Sequence, residues 1–480
     1  MGRCLTRSRS TSHDERVTST TFTPVSPVDG SSLGTRAFAR SDEADAAIDR
    51  LVRGFVEWSR FPLDERARRL EAMVDAVVGK RSELAAELTM QMGRPLAHSP
   101  SEIDGFANRA RTMLALGREV LSGVSLPPKP GFERRIERAP LGVVLVLSPW
   151  NYPYLTAVNV LVPALLAGNT VLLKHSEQTP LVAERLVAAA RSAEIPEDVF
   201  VSLDATNEEV ARWVADPRIA FVAFTGSVEG GRAISRAAAG RFVGTAFELG
   251  GNDAAYVFDD ADVEAAAEMV VEGALFNAGQ SCCAIERAYV HERVYDAFVE
   301  AAVAAARRWT LGDPRNPATT LGPMVRVSNA ARVEHAVNQA LATGARGLLD
   351  RRDFPEHARG LPYLAPSLLV DVDESMEVMR EETFGPVLPI AKVRSDEEAV
   401  ARIEASRYGL TAALFGKDVE RASRLARELE VGTVYLNRCD ALDPELPWVG
   451  VKDSGRGVTL SRLGFDALTR PKSLHFRLPG

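Results

Sequence analysis

Short apolar segments alternate with stretches of helical periodicity from Leu141 onward, and this alternation constrains the fold more than any other feature of the sequence. A short apolar run between turns is typical of a strand buried on both faces of a parallel sheet. Helices that connect such strands cover the two faces of the sheet. The pattern therefore predicts an α/β fold with a doubly wound parallel sheet, whose first strands are residues 143–147, 171–174, 199–203 and 219–224.

The chain is long enough for more than one such region. Its 480 residues exceed an ordinary single domain, and a hydrophobic content of 46% suffices for several cores. The alternation resumes near Ala254 and continues to about Leu436, which predicts a second α/β domain. Residues 42–92 carry apolar side chains at helical spacing, which predicts a pair of amphipathic helices. A proline-rich link at 127–130 precedes an alternating, strand-like segment that ends near Ala139.

Composition excludes several classes of partner. The chain carries 57 basic and 65 acidic residues, a net charge of -8, and this balance disfavours a nucleic-acid surface. The longest uninterrupted apolar stretch, residues 141–147, is far shorter than the roughly 20 residues of a membrane-spanning helix. We therefore expect a small-molecule substrate, no nucleic-acid partner and no membrane partner.

The cysteines and the N-terminus indicate a cytoplasmic protein. Four cysteines in a chain of this length do not form a disulfide framework, and two of them, Cys282 and Cys283, are adjacent. Residues 1–20 are polar and lack the apolar core of a secretory signal, so we expect a disordered extension. A transit peptide is the alternative, although Asp14 and Glu15 argue against it.

A run of small and amide residues leads directly to Cys282, from Phe276 through Asn277 and Gln280. A cysteine nucleophile needs a permissive turn, nearby donors that favour the thiolate, and space for a substrate. Most cysteines are instead small buried hydrophobes, and Cys283 is expected to be one of these, packed behind the loop. Taken alone, the run is a weak signal.

Two further segments carry polar groups suited to the same chemistry. Glu248 ends an apolar strand just before two glycines, and burial there would favour general-base behaviour near neutral pH. Asn151 lies between Pro149 and Pro153 in a turn after a buried strand, where its amide could donate to an oxyanion. A capping or ion-paired glutamate and a turn-stabilising asparagine are the alternative interpretations.

Together the three segments resemble the aldehyde dehydrogenase superfamily, of the NAD(P)-dependent, non-acylating type. The resemblance runs from about Thr21 to the end of the chain and covers the cysteine motif at 277–284, the general-base motif at 248–251 and the oxyanion motif at 149–153. It implies that Cys282 attacks an aldehyde and forms a thiohemiacetal and then a thioester. Asn151 and the Cys282 backbone N–H would hold the oxyanion, and Glu248 would activate the hydrolytic water.

The resemblance also implies a dinucleotide site. Glycines between a strand and a helix at Gly226 and Ser227 make a plausible pyrophosphate cradle, although such junctions are often merely structural. Glu177 would repel a 2′-phosphate and favour NAD, while Lys174 would soften that preference and leave NADP possible. His175 is expected to be surface structure, and the dispersed histidines predict no metal site. The implied cofactor contacts are Trp150, Lys174, Glu177, Gly226, Ser227, Leu249, Glu382 and Phe384.

The implied architecture is an aldehyde-dehydrogenase-like fold with a Rossmann-type cofactor domain at 21–122 and 140–250 and a catalytic domain at 251–452. A small β arm at 123–139 and 466–480 would join subunits into a homodimer or homotetramer. Val449 replaces a glycine of the family's C-terminal motif, so that turn would be repacked. In the loop that lines the substrate tunnel of relatives, Arg438 is expected to be a rim arginine paired with Asp440 rather than a contact to an anionic substrate.

Two other functions stay open at this point. A CoA-acylating semialdehyde dehydrogenase would not need Glu248 as a base, and a binding protein that retains the fold would be expected to lack one of the three catalytic residues. All three, Cys282, Glu248 and Asn151, are present. The substrate could be an aliphatic aldehyde, an aromatic aldehyde or a semialdehyde, since the sequence does not place the loops that shape the pocket.

Overall fold

The structure of the chain is a computed structural model that describes residues 20–357 and 362–479. The predicted disordered extension at 1–20 therefore lies outside the described residues, except for Thr20. Three larger sheets and two two-stranded ribbons organise the described part of the chain. The ribbons pair Thr21–Phe22 with Arg36–Ala37 and Tyr408–Gly409 with Val451–Lys452.

The first sheet has six strands, and all but one edge strand are parallel. The chain lays down strands outward from Val143–Leu147 in one direction and then returns to its other side at Ile219–Thr225. The strand order therefore reverses between these two strands, which is where such sheets bind ligands. In spatial order the strands are Gly455–Arg456, Gly244–Glu248, Ile219–Thr225, Val143–Leu147, Thr170–Lys174 and Phe200–Ser202.

Both faces of this sheet are covered, as the sequence predicts. Val144 and Val146 point into one apolar core, and Leu145 and Leu147 point into another on the opposite face. Alternate side chains of a strand leave opposite faces, so each strand is buried along its whole length. Helices Leu63–Val78, Pro100–Val120, Pro153–Leu166 and Pro180–Ser192 cover the first face, and Ser41–Trp58, Asn207–Ala215 and Val228–Ala238 cover the second.

The second sheet has seven strands and is parallel except for Arg346–Gly347 at one edge. Helices again cover both faces, with Val263–Leu275 and Tyr295–Ala306 on one side and Val327–Ala342, Asp396–Glu404 and Val419–Ala426 on the other. This sheet is the predicted second α/β region. Its strands in spatial order are Arg346–Gly347, Ser367–Val370, Val387–Val393, Ile285–His291, Asp253–Val257, Thr411–Phe415 and Thr433–Leu436.

The third sheet is small and antiparallel. Phe132–Pro140 pairs along its whole length with the C-terminal strand Thr469–Arg477, and Val124–Ser125 pairs on its other side. The sequence pattern after the proline-rich link therefore does form a strand, which is half-buried along most of its length. The C-terminal strand Thr469–Arg477 lies within the segment 466–480 expected in the arm, and it reaches back to pair Thr469 with Pro140.

The prediction of two helices within residues 42–92 is wrong, since the structure has three: Ser41–Trp58, Leu63–Val78 and Arg81–Met92. Pro62 precedes the second helix and Gly79 ends it, which divides the segment at two places. The remaining helices are Glu377–Arg380 and Gly464–Leu468, with 3-10 turns at Phe276–Gly279 and Arg351–Asp353. Within residues 20–357 and 362–479, no helix has the length and hydropathy to cross a membrane.

Gly54, in the helix Ser41–Trp58, tests the close packing of this helix against the first sheet. A Cβ at Gly54 would lie 2.0 Å from the backbone oxygen of Asp198, so Gly54→Ala must displace backbone. We expect a loss of about 1–3 kcal/mol from overpacking, despite the higher helix propensity of alanine. Gly240→Ala, where no heavy atom lies within 4 Å, is the matched control. Thermal unfolding midpoints of the two variants check this, and an unchanged midpoint for Gly54→Ala would contradict the packing described.

Candidate active site

A cavity of about 430 Å³ lies at the point where the strand order of the first sheet reverses. Its walls come from the carboxyl ends of Val143–Leu147, Ile219–Thr225 and Gly244–Glu248, together with loops of the second α/β region. Two of these loops precede the strands Ile285–His291 and Val387–Val393, and a third follows Thr433–Leu436. The cavity brings together all three residues predicted to be catalytic and six of the eight predicted cofactor contacts. These are Cys282, Glu248, Asn151, Trp150, Gly226, Ser227, Leu249, Glu382 and Phe384.

The loop before Cys282 has an unusual backbone. Asn277, Ala278 and Gly279 are all left-handed, with φ of 54°, 56° and 68°. A Cβ on Gly279 would lie 2.1 Å from the backbone oxygen of Gly385, so only glycine permits this approach. Left-handed alanine is strained, and such strain occurs where surrounding structure holds the backbone in place. The loop is thus fixed against the second sheet before the chain reaches Cys282.

The side-chain amides of Asn277 and Gln280 hold this loop in position and do not face the Cys282 thiol. Gln280 Oε1 accepts a hydrogen bond from the Val325 backbone N–H at 2.8 Å, and Gln280 Nε2 donates to Asn277 O at 3.0 Å. Cys282 is half-buried and lines the cavity. Cys283 is buried, as expected, and its thiol donates to Asp440 Oδ1 at 2.9 Å. Of the two adjacent thiols, Cys282 is therefore the more accessible one.

A buried guanidinium connects the cysteine loop to the asparagine. Arg94 forms an ion pair with Glu102, and both side chains are at most 1% exposed. Arg94 also donates to Asn277 Oδ1 at 3.1 Å and to Asn151 O at 2.6 Å. The same Glu102 carboxylate accepts from the backbone N–H of Tyr154 at 2.8 Å. One ion pair therefore fixes the relative position of the segments that carry Cys282 and Asn151.

Asn151 contacts the cysteine loop directly. Its side chain is buried, and Nδ2 donates to Gln280 O at 3.2 Å. An amide nitrogen carries two N–H groups. Within the described residues, that contact is the only protein partner of Nδ2, so one N–H is left toward the cavity beside Cys282.

Glu248 is the last residue of the strand Gly244–Glu248 and lies in the cavity wall. Burial raises the pKa of its carboxyl group, and this effect outweighs the opposing influence of hydrogen bonds and of Arg109. The hydroxyl of Thr459 donates to Oε1, and the hydroxyl of Thr225 donates to Oε2 at 3.3 Å. The structure thus gives Glu248 the environment that the sequence predicts, apolar enough to disfavour its charged form.

The predicted pyrophosphate cradle is a helix N-terminus at the cavity. Ser227 caps the helix Val228–Ala238, and its Oγ accepts from the Gly230 backbone N–H at 3.1 Å. Gly226 packs so closely that a Cβ there would lie 2.7 Å from the ring of Phe224. Backbone N–H groups at such a terminus attract anionic groups. The cap uses the Ser227 oxygen as an acceptor, so the Ser227 O–H remains free to donate to an anion beside those backbone groups.

A second buried carboxylate holds the opposite wall of the cavity. Glu286 accepts from the backbone N–H groups of Thr383 and Phe384, each at 2.7 Å, and burial raises its pKa to about 7. Burial and the neighbouring Glu286 charge raise the pKa of Glu382 to about 8. The Phe384 ring meets Trp150 edge-on with centroids 5.6 Å apart. Through these backbone hydrogen bonds, Glu286 positions the segment that carries Glu382 and Phe384.

Lys174 and Glu177 lie outside this cavity. Lys174 ends the strand Thr170–Lys174, and its Nζ is 3.5 Å from Glu177 Oε1. Asp204 is close by, since the Lys174 charge opposes the burial that raises the Asp204 pKa to about 6. The two residues are therefore paired with each other at the carboxyl edge of the sheet, where the sequence places them.

The expectation that His175 is surface structure is wrong. His175 is fully buried, and burial lowers its pKa to about 4. Its Nε2 lies 3.3 Å from Pro153 O and its Nδ1 lies 3.3 Å from Thr179 Oγ1. The residue directly follows a buried strand, and its ring turns inward to join that turn to the Asn151 loop. In the described part of the chain, no group of three or more His, Cys, Asp or Glu side chains could hold a metal ion.

The expected pairing of Arg438 with Asp440 is also wrong. Asp440 lines the cavity and accepts from the Cys283 thiol, whereas Arg438 is exposed and does not line the cavity. Left-handed φ at Asp440, 42°, turns its side chain inward. A different arginine, Arg109 of the helix Pro100–Val120, reaches the cavity.

Sequence reasoning missed four charged residues of the site: Arg94, Glu102, Arg109 and Glu286. Each acts across a long separation along the chain, such as the 183 residues between Arg94 and Asn277. No local sequence motif predicts such long-range contacts. The one available signal was a charged residue at an otherwise apolar position, since isolated charges in buried segments are normally paired.

Comparison with known proteins identifies the family of the chain. A model of the aldehyde dehydrogenase family matches residues 15–474. The chain is 34% identical over 451 residues to succinate-semialdehyde dehydrogenase (NADP+) of Deinococcus radiodurans, with 94% of each chain covered. It is 32% identical to betaine aldehyde dehydrogenase of Bacillus subtilis, over 94% of this chain and 93% of that protein.

Solved structures show the same fold. Succinate-semialdehyde dehydrogenase from Burkholderia pseudomallei superposes with a TM-score of 0.91 at 32% identity, over 95% of both chains. NADP-dependent glyceraldehyde-3-phosphate dehydrogenase from Bacillus halodurans, complexed with NADP, superposes with a TM-score of 0.90 at 31% identity, over 96% of both chains. The chain belongs to the aldehyde dehydrogenase family. The predicted family, fold and enzyme class are thereby confirmed: an oxidoreductase that acts on aldehydes with NAD or NADP.

Arg94→Met tests the buried ion pair that joins the asparagine and cysteine loops. The substitution leaves the Glu102 carboxylate buried without its cation, which typically destabilises by about 3–5 kcal/mol. We therefore expect a large drop in the midpoint of urea unfolding. Arg81→Met breaks an exposed ion pair with Asp104 and is the matched control, for which we expect little change. Equal midpoints for the two variants would contradict the role assigned to Arg94.

Proposed function

We propose that this protein oxidises an aldehyde to a carboxylic acid through a thioester on Cys282, with hydrolysis of that thioester by water. One observation carries the proposal. An accessible thiol, an amide with a free N–H and a carboxyl group of raised pKa line a single cavity, at Cys282, Asn151 and Glu248. A nucleophile, an oxyanion donor and a general base are the groups that acyl chemistry requires.

In the first step the Cys282 thiolate attacks the aldehyde carbon. A C–S bond forms, and the carbonyl π electrons move to the oxygen, which becomes an oxyanion. The free N–H of Asn151 and the backbone N–H of Cys282 donate to it, in a site already fixed by Arg94. A nicotinamide held by Trp150, Leu249, Glu382 and Phe384 would supply the acceptor for the hydride that leaves the former aldehyde carbon, and the carbonyl re-forms there as a thioester.

In the second step Glu248 removes a proton from water. The hydroxide adds to the thioester carbon, the C–S bond breaks, and the carboxylic acid leaves while the Cys282 thiolate is regenerated. The raised pKa of Glu248 makes its carboxylate a stronger base than an ordinary glutamate. The hydroxyl groups of Thr459 and Thr225 hold that carboxylate in place.

The chain's own residues fit a nicotinamide dinucleotide. The N-terminus of Val228–Ala238, with Gly226 and Ser227, would receive the pyrophosphate, and Trp150, Leu249, Glu382 and Phe384 would surround the nicotinamide half. Lys174 and Glu177 would hold the adenosine ribose. Glu177 favours NAD over NADP because its carboxylate repels a 2′-phosphate, although its pairing with Lys174 weakens that repulsion.

We also infer that the protein forms a homo-oligomer. We further infer that it works in a reducing compartment, most simply the cytoplasm. The strand Thr469–Arg477 leaves a nine-residue edge of the small sheet without a partner strand among the described residues, and such edges pair readily. Cys282, Cys283 and Cys439 are free thiols. Sedimentation velocity tests the assembly: a dimer or tetramer is expected, and a monomer at micromolar concentration would contradict it.

Cys282→Ala is expected to abolish reduction of NAD or NADP with every aldehyde, because no other thiol has access to the cavity in the same way. Cys283→Ala, at the adjacent buried thiol, is the matched control and should retain turnover. Absorbance of the reduced nicotinamide, measured without added CoA, checks both variants. Full activity of Cys282→Ala, or turnover that requires CoA, would contradict the proposal.

Glu248 sets the expected dependence on pH. A general base must be ionised, and a raised pKa keeps Glu248 protonated to a higher pH than an ordinary glutamate. The rate of deacylation should therefore rise with pH through the Glu248 pKa, and this rise should disappear in Glu248→Gln. Steady-state kcat across a pH series, with single-turnover acylation as the control, checks this. A Glu248→Gln enzyme with an unchanged pH profile would exclude Glu248 as the base.

A further inference from the structure

We infer that Arg109 is the residue that selects the substrate, by binding a carboxylate at the end of the molecule remote from its aldehyde group. The inference rests on the proposed function and adds to it a substrate class, the semialdehydes. Arg109 belongs to the helix Pro100–Val120, and its side chain reaches the wall of the cavity that contains Cys282 and Glu248.

The guanidinium of Arg109 is held in a fixed orientation with donors to spare. Nη1 donates to Leu155 O at 3.0 Å and to Asn159 Oδ1 at 3.1 Å, both on the helix Pro153–Leu166. Within the described residues, Nε and Nη2 have no protein acceptor, and both nitrogen atoms remain accessible on a side chain that lines the cavity. Two N–H groups of a fixed guanidinium fork match the two oxygens of a carboxylate.

The positive charge of Arg109 has no counter-ion in the part of the chain that the structure describes. No carboxylate lies within ion-pairing distance of it, whereas the fully buried cation of this region, Arg94, is paired with Glu102. Burial lowers the pKa of Arg109, but a guanidinium keeps its proton in proteins. Arg109 is half-buried, and a partly desolvated charge without a partner is unfavourable, so an anionic group of the substrate would relieve this.

The nearby acidic groups do not fill that role. The carboxyl of Glu248 is held by Thr459 and Thr225, and burial raises its pKa and so favours its neutral form. Asp440 accepts from Cys283, and burial raises its pKa also. The Glu248 charge acts to raise the pKa of Arg109, and the Arg109 charge acts to lower the pKa of Asp440. Both carboxyl groups are therefore near Arg109 without forming an ion pair with it.

The rest of the cavity fits a short chain between two polar ends. Apolar side chains line it, including Leu155, Met269, Phe276, Leu442 and Trp448. The other arginine of the cavity, Arg332, donates to Glu382 O at 3.3 Å and so belongs to the wall expected to meet the cofactor. Arg109 is therefore the cation available to the substrate, with Cys282 at the reacting end.

Two substrates with the same four-carbon aldehyde chain test the inference: 4-oxobutanoate, which carries a carboxylate, and its neutral methyl ester. We expect wild type to prefer the anion in kcat/KM. Arg109→Met should lower that preference roughly 10- to 150-fold, mainly through KM of the anion, as expected for loss of hydrogen bonds to a charged group. Arg109→Lys, which keeps the charge but not the fork, should lower it less.

Arg438→Met is the matched control, since Arg438 is exposed and does not line the cavity, and its preference should equal that of wild type. An equal fall for both substrates in Arg109→Met would assign Arg109 a structural role and overturn the inference. If Arg109→Met fails to fold, the preference of Arg109→Lys decides by the same criterion. A wild type that oxidises the ester as well as the anion, or that oxidises neither but turns over other aldehydes, would overturn this inference alone. One that oxidises no aldehyde of an aliphatic and aromatic panel would contradict the proposed function as well.

Discussion

The ion pair between Arg94 and Glu102 is the contact on which the geometry of the site depends. The two residues lie within the helical segment before the first sheet, yet their hydrogen bonds end at Asn151, Tyr154 and Asn277. Three segments distant in sequence are thereby held at one place. Because both side chains are buried, removal of either leaves an uncompensated charge, so the arrangement has few alternatives.

Burial raises the pKa of the carboxyl groups on both walls of the cavity. It raises the pKa of Glu248, which suits a base near neutral pH, and it raises the pKa of Glu286 and Glu382, to about 7 and about 8. Glu286 is nonetheless satisfied by two backbone N–H groups and by Asn252. Arg109 is the reverse case, a half-buried cation with donors left over. In this cavity, the charged group with hydrogen-bond partners on the protein, Glu286, holds the wall in place. The charged group with free donors, Arg109, is the one suited to bind substrate.

The sequence predicts those parts of the structure that local patterns determine. Apolar strands such as Val143–Leu147 are recognisable because burial on both faces requires a continuous apolar run. Cys282, Glu248 and Asn151 each lie in a short motif at a strand end or a turn, and the structure brings them to one cavity. Their chemical roles are proposals that the structure supports.

The errors share one physical origin, which is that burial of a polar side chain depends on distant partners. His175 looks like surface structure until Pro153 and Thr179 are seen against its ring. Arg438 and Asp440 look like a pair by proximity in sequence, but the left-handed backbone at Asp440 separates them. Arg109 carries no motif at all, because only the fold of helix Pro100–Val120 against Pro153–Leu166 brings it to the cavity.

The central claim is that a thioester on Cys282 is the intermediate and that Glu248 resolves it. Mass spectrometry of intact and digested Glu248→Gln protein, after incubation with NAD and an aldehyde, tests this most directly. The account predicts a mass increase equal to one acyl group, with release of reduced nicotinamide, on the peptide that contains Cys282 and lost with hydroxylamine. An unmodified protein, or an acyl group on Cys283 or Cys439 instead, would contradict it.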